Sequence, residues 1–338
     1  MHYVTLNKAQ ARLHKVEITP SPDPRLRVLI GEDSEPSPIA REIAVRVRAS
    51  LDHAGVNPVG TVRLRAQGRD DRIVGADLAI ALAFLPGVPE DGAAIGELTL
   101  GGEVRSTRGV LPAMLEARKC GVQLYVPASQ MGDAQIAGGG VAVPIGALLP
   151  GGQVRQGPYT LRGDGSVRIV RPERDPLPEH LAPAFERIRA AFAEGRDVLI
   201  VGKPGSGKTL LARRAADLVD LTEDQIRAHL ATLSATGFLG DGNGDVLVPF
   251  RAPHHTVSYG GMAGVGMGRV GEVDLAEHGV LFLDEIDQFQ ATCVEAALRA
   301  NCRIVATSPM PPSEALWHAR RFDGVVRERL GRFETIEI

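Results

Sequence analysis

The run Gly202 to Thr209, GKPGSGKT, constrains this chain more than any other stretch of it. It satisfies the pattern G-x-x-x-x-G-K-[ST], whose spacing has a mechanical meaning. Backbone N–H groups must converge on a phosphate, and Gly202, Gly205 and Gly207 allow the close approach and the unusual dihedrals this needs. Lys203, Pro204 and Ser206 complete the loop. Lys208 offers a mobile cation to the β- and γ-phosphate oxygens, and the Thr209 hydroxyl can ligate Mg²⁺. Such a loop works only between a buried strand and a helix whose N-terminus adds partial positive charge. The flanks comply: Asp197 to Val201 (DVLIV) reads as a short buried strand, and Thr209 to Leu218 as a helix. The expected ligand is a nucleoside triphosphate, ATP held with Mg²⁺.

A second element fits the first. Val280 to Glu285 (VLFLDE) is an apolar run ending in two acids. As a buried parallel strand it would deliver Asp284 to the Mg²⁺ shell and Glu285 toward an attacking water. A third strand, Arg303 to Thr307 (RIVAT), ends at Ser308 and Pro309, so Thr307 and Ser308 are candidates to face the γ-phosphate.

The remainder sets the frame. At 338 residues the chain is long enough for two domains. Residues 1–150 read as one α/β domain, 151–180 as a Gly-, Pro- and charge-rich linker with room for one short hairpin, and 181–338 as a P-loop α/β domain. In the first, Ile39, Ile43, Val47 and Leu51 form a helical stripe closed by Gly55, and Asp77 to Leu85 reads as a buried helix. A net charge of −3 gives no global basic field, and 4% aromatics disfavour a base-stacking surface. Three cysteines without a CxxC pair point to a reducing compartment and away from zinc. MHYVTLNKAQARLHK has no apolar signal core, and the longest apolar runs are too short to span a bilayer. The expectation is a soluble cytoplasmic protein without membrane association.

The second half resembles the magnesium-chelatase branch of AAA+ ATPases. The residues carrying the resemblance are Gly202 to Arg214 (GKPGSGKTLLARR), Phe250 to Thr256 (FRAPHHT) and Gly271 to Glu285 (GEVDLAEHGVLFLDE). The first half is similar to that branch's ComM/YifB members, through RVRASLDHAGVNP, GADLAIALAFL and IGELTLGGEVRSTRGVLPAMLEARKCG. The resemblance implies a Lon-protease-like α/β domain followed by an AAA+ domain with a central parallel sheet. Lon-type proteolysis needs a serine nucleophile and a lysine base. Here Gly75 to Leu78 holds no serine, Gly109 to Leu115 holds no lysine, and Ser106 has no lysine beside it in sequence. The domain is therefore read as an oligomerisation or substrate-contact module.

Family resemblance further implies a ring-shaped homo-oligomer that hydrolyses ATP. ComM-like members are associated with DNA branch migration, which makes DNA the candidate partner; chelatase subunits drive metal insertion into a porphyrin. Tyr259 to Gly268 (YGGMAGVGMG) resembles a pore-facing loop, and the adjacent His254 and His255, if in a strand, would face opposite sides. In Gly324 to Ile338, Arg332 best matches the arginine finger that acts on a neighbour's nucleotide, with Arg329 second. Three departures stand against full activity. Ser308 occupies the sensor-1 position where the family has asparagine, and Ile286 to Cys302 is too short for the usual exposed hairpin. After Ile338 no residues of this sequence remain for the helical lid with its sensor-2 arginine, so a separate lid-supplying or client protein is an expected partner. The alternative reading is a lidless, slow or inactive ATP-dependent binding module.

Overall fold

The computed structural model describes residues 1–65, 71–138, 140–157, 165–239, 244–266, 268–309 and 324–338. They fall into two compact units, Met1–Val167 with Leu230–Gly244, and Arg168–His229 with Asp245–Ile338. Both are mixed α/β, the class expected. Within the linker reading, Gln153–Arg155 forms a hairpin with Ala147–Leu149, while residues 158–164 lie outside the described residues.

In the first unit a six-stranded sheet runs Ala142–Ile145, Leu124–Pro127, Ala93–Ala94, His2–Asn7 and Gln10–Lys15, with Arg72–Val74 added beside His2–Asn7. A three-stranded sheet holds Glu17–Thr19, Gly60–Leu64 and Leu26–Ile30. The helix Pro38–His53 is N-capped by the Ser37 hydroxyl and buries Ala40, Ile43, Val47 and Leu51. Gly55 follows it at φ 74°, a left-handed position suited to glycine. Ile39 departs from the expected stripe: at 63% exposed it lies outside the core, because Ala40 takes the inward place in the first turn.

Ala76–Ala83 is buried all round, as its composition dictates, and that burial includes Asp77. The carboxylate is tolerated there because Arg46 Nε donates to its Oδ2 at 2.6 Å and the Leu98 N–H donates to it at 3.3 Å. Burial nonetheless pushes the Asp77 carboxyl above its ordinary range. Ser106 meets the Ser129 hydroxyl at 3.1 Å, and no lysine partners it among the described residues.

The second unit is built on a five-stranded sheet in the order Phe250–Arg251, Val280–Leu283, Arg303–Ser308, Val198–Val201 and Glu334–Glu337. Every pairing in it is parallel, and the inner strands Val198–Val201 and Val280–Leu283 read as continuous apolar runs because both faces are covered. Leu281, Leu283, Ile304 and Ala306 pack on one side with Ile286, Val294 and Leu298; Val198, Ile200, Val280 and Phe282 pack on the other with Ile188 and Leu211.

His229, on the helix Glu223–Thr236, is 9% exposed, and its Nδ1 has no hydrogen-bond partner among the described residues. Burial, then the charges of Arg251 and His278, push its imidazole down to about 4. A histidine held neutral in the fold adds stability above its unfolded value near 6.5, and that contribution is lost as pH falls from there toward 4. The full loss is roughly 3 kcal/mol at 1.36 kcal/mol per unit. Burial lifts the Asp133 carboxyl to about 6, which acts in the opposite sense over the same range. The discriminating measurement is therefore the difference in denaturant stability between the parent chain and His229→Gln from pH 7 to 4. The variant should show the shallower acid loss; parallel curves would exclude this role for His229.

Candidate functional site

The sheet order decides which residues meet. Val198–Val201, Arg303–Ser308 and Val280–Leu283 are adjacent and parallel, so their carboxyl ends emerge side by side. From them issue Gly202, Ser308 and the pair Asp284–Glu285. Parallel sheets bind ligands at this edge, where loops of neighbouring strands diverge.

The loop Gly202–Gly207 has the dihedrals its pattern requires. Gly205 lies at φ 81° and Gly207 at φ 101°, both left-handed. A Cβ on Gly207 would fall 2.7 Å from Leu181 Cδ1, and one on Gly202 would fall 2.4 Å from the Ile338 carbonyl oxygen and 2.8 Å from Ser206 Oγ. The helix Lys208–Ala215 begins at Gly207 with no side chain capping its first amides. Lys208 Nζ donates to the carbonyls of Gly202 at 2.7 Å and Lys203 at 3.0 Å, folded back over its own loop. Ser206 Oγ is buried without a hydrogen-bond partner among the described residues. Open amides, a cation poised above them and an orphaned hydroxyl form a cradle that fits a phosphate chain.

Beside the loop the acids are tied together by one side chain. Thr307, fully buried, donates from Oγ1 to Asp284 Oδ1 at 2.5 Å and accepts the Glu285 N–H at 2.9 Å. Glu285 sits at φ 55°, a left-handed conformation costly for a residue with a Cβ. Asp284 and Glu285 are both exposed at the edge, with Ile286 buried beneath them. Ser308 is fully buried, and its hydroxyl donates to Asp287 Oδ1 at 3.4 Å. Of the two polar residues ending the third strand, Thr307 is the one that touches the acidic pair. Thr307→Val should leave nucleotide affinity within about threefold and lower turnover about tenfold, the scale of a hydrogen bond to a charged group. Unchanged turnover, measured with nucleotide affinity on the same preparation, would show the tether to be idle.

Arg332 lies elsewhere. Glu334–Glu337 runs parallel to Val198–Val201, pairing Val198 with Glu334 and Val201 with Glu337. Arg332 precedes the amino end of one strand and the phosphate loop follows the carboxyl end of the other, so the length of the sheet separates them. The Arg332 side chain is 70% exposed and pairs with Glu328 at 2.6 Å.

Arg329, the second candidate for a finger, is spent inside the unit. It donates to Asp197 at 2.6 and 3.2 Å and to the carbonyls of Leu298, Ala300 and Cys302 at 2.6–3.0 Å.

Two further expectations are corrected. His254 and His255 are not in a strand; the chain turns there, and their rings lie 4.0 Å apart, with His254 Nδ1 2.9 Å from Thr256 Oγ1. The first half of the Gly/Met stretch is not a loop: Tyr259–Ala263 is a short helix anchored by fully buried Met262. Met267 lies outside the described residues.

Sequence reasoning also missed a cavity of about 330 Å³ beside Ser206, lined by Leu181, Ala184, Arg187, Ile336 and Ile338 among others. No local signal could have marked these residues, because they converge only when the last strand docks beside Val198–Val201.

A parallel sheet carrying a phosphate loop, with two acids on a neighbouring strand, is the arrangement of a P-loop α/β fold. Residues 182–302 match the family described as magnesium chelatase, subunit ChlI. An uncharacterized protein of Mycobacterium tuberculosis is 29% identical over 285 residues, spanning 77% of this chain and 56% of its own length. YifB of Escherichia coli is 28% identical over 276 residues (77% and 54%), and competence protein ComM of Haemophilus influenzae 28% over 282 (77% and 55%). The chain is thus a ComM/YifB-like, magnesium-chelatase-like AAA+ protein. It spans just over half the length of these relatives. Among the described residues no helix is long and apolar enough to cross a membrane.

Proposed function

We propose that this chain binds MgATP and hydrolyses it as one subunit of a ring, acting on DNA in the manner associated with ComM-like proteins. The observation that carries the nucleotide reading is the shared carboxyl edge of three adjacent strands, from which the loop with Ser206 and Lys208 and the Asp284–Thr307–Glu285 group both issue. The loop Gly202–Gly207 and the helix that follows would hold the phosphates, and Thr209 with Asp284 would hold Mg²⁺. The neighbouring cavity against Leu181 and Ala184 offers an apolar seat for the base. Glu285 would take the proton of the attacking water. Mg²⁺ in such a site screens the charge that builds on the transferred phosphoryl group.

Assembly follows from where Arg332 stands. The sheet separates it from its own phosphate loop, so if Arg332 is the finger, its exposed guanidinium would act on the nucleotide of a neighbouring copy. Hydrolysis should therefore depend on association. Support for DNA as the substrate comes from the likeness to ComM, which covers 77% of this chain and extends into the first unit. The first unit is proposed to be a Lon-like, non-proteolytic module spanning about the first 150 residues, a linker following it.

The test is steady-state ATP turnover across a protein concentration series, with and without branched DNA. A rate that rises cooperatively with concentration and increases with DNA supports the ring motor. Turnover in an assembled ring that ignores DNA excludes the DNA assignment alone. One observation favours a slower, binding-only module: the Ser308 hydroxyl is buried and directed at Asp287. That reading predicts tight ATP binding with no turnover at any concentration.

A further inference from the structure

At the end of the sheet opposite the phosphate loop, the second unit holds a cavity of about 540 Å³ that the nucleotide chemistry does not use. Its lining includes Asp197, Cys302 and His278, which stand just before the strands Val198–Val201, Arg303–Ser308 and Val280–Leu283. Hydrogen-bond acceptors and donors are out of balance there, and the acceptors are the ones already spent. Each carboxylate of the lining is held by an arginine: Asp197 by Arg329 at 2.6 Å, Asp220 by Arg171, and Glu328 by Arg332 at 2.6 Å. Lining carbonyls are engaged too. Gly195 accepts from Arg303, Val219 from Arg171, Ala300 and Cys302 from Arg329, and Asn301 from the His278 N–H.

Donors, by contrast, are in surplus. The Arg303 guanidinium donates to the Gly195 carbonyl at 2.8 Å, rests against the Phe192 ring, and makes no ion pair among the described residues. Arg196 Nε is buried without a hydrogen-bond partner among the described residues. Gln225 Oε1 accepts the Thr222 N–H at 2.9 Å, which fixes the amide and turns Nε2 to His278 Nδ1 at 3.4 Å. Asn301 Nδ2 meets the same imidazole atom at 3.3 Å. Nδ1 therefore accepts, and the neutral imidazole carries its proton on Nε2, a further donor. His278 also sits at φ 63°, a left-handed position whose strain is kept where a site over-determines the backbone.

A cavity with its acceptors taken and its donors in hand calls for a ligand that has lone pairs and no protons to give. A carboxylate spreads its lone pairs in one plane. The donors here come from the helix Glu223–Thr236, the turn at Asn301 and the starts of two strands, and a tetrahedral oxyanion answers several directions at once. We infer that this cavity binds a phosphate group, with Arg303 as its charged partner and Arg196 Nε, Gln225 and Asn301 as neutral-type donors around it. The space exceeds that of the ion alone, and Val219 with exposed Val325 offers an apolar wall for the organic part of a phosphomonoester. Nothing in this rests on the nucleotide reading.

The probe is inorganic phosphate, titrated calorimetrically into the full chain carrying Lys208→Ala, so that the phosphate loop lacks its cation. Saturable binding is expected. Adding Arg303→Gln should weaken it at least tenfold, the scale of a hydrogen bond to a charged group. Asn301→Asp should weaken it by a similar factor; the position is exposed and the replacement isosteric, so this variant holds the test if Arg303→Gln misfolds. Arg189→Gln removes a charge of the same sign outside the cavity and should bind as its parent does. Phenyl phosphate separates the sources of the group. Binding tighter than that of the bare ion, and lost in Val325→Asp, supports an organic monoester; equal binding supports the free ion. Absence of saturable binding, or binding indifferent to both Arg303→Gln and Asn301→Asp, overturns the inference. So does displacement of phosphate by equimolar acetate, which would assign the cavity to a carboxylate.

Discussion

Glu285→Gln should bind ATP as tightly as the parent chain and turn it over roughly 10²–10⁴-fold more slowly, the range a positioned general base contributes. Binding should persist because the phosphate cradle is built by Gly202–Gly207 and Lys208, none of which bonds to Glu285. The main-chain anchor should persist too, since Glu285 is held by its N–H to Thr307 Oγ1 at 2.9 Å and glutamine keeps that group. What changes is the ability of an exposed side chain to accept a proton from water. Glutamine is close in size and shape, so the left-handed conformation at φ 55° carries the same cost in both. Equilibrium ATP binding and single-turnover hydrolysis on the same preparation separate the two effects. Loss of binding would place Glu285 in the cradle, and full turnover would remove it from the chemistry.

Arg329→Ala should cost about 3–5 kcal/mol, the penalty for stranding one partner of a buried ion pair. Asp197 is 4% exposed and has a second role, accepting the Ile304 N–H at 2.8 Å at the start of the third strand. Removing the guanidinium leaves that carboxylate uncompensated between two strands. It also frees the carbonyls of Leu298 and Ala300, at the end of the helix Ala291–Leu298, and that of Cys302. A cation at a helix C-terminus is favourable in its own right, and here the same residue ties that helix to the sheet. At 2–4 °C per kcal/mol, the transition of the second unit should fall on the order of 10 °C. Arg329→Lys should recover little, because an ammonium cannot reproduce the planar fork that serves Asp197 and three carbonyls together. A shift below about 2 °C for Arg329→Ala would show that the network contributes little, and would return Arg329 to the candidates for a finger.

These two residues differ in how legible they were. Glu285 became a candidate only through VLFLDE and the phosphate loop together, because an apolar run ending in acids is by itself often just a strand meeting a loop. Arg329 and Arg332 share one short segment and one chemistry, and the family resemblance put Arg332 first without indicating what either side chain touches. Asp197 separates them. It sits under Arg329, more than a hundred residues away in sequence, and leaves Arg332 in solvent. Thr307 and Ser308 were open to the same ambiguity. The strand's alternation and the neighbouring strand settled it, turning one hydroxyl to Asp284 and the other to Asp287.

By itself the sequence determined the parts whose chemistry is local. A glycine-rich loop between a strand and a helix requires only its own dihedrals and one amide cluster. The periods of Ala76–Ala83 and Pro38–His53 needed only the spacing of apolar residues. Tertiary structure decided whatever depends on a partner distant in sequence. It left Ile39 outside the core because Ala40 faces inward. It brought the rings of His254 and His255 together by turning the chain where a strand would have parted them. In each case two arrangements of the same residues satisfy the local rules, and long-range packing selects between them.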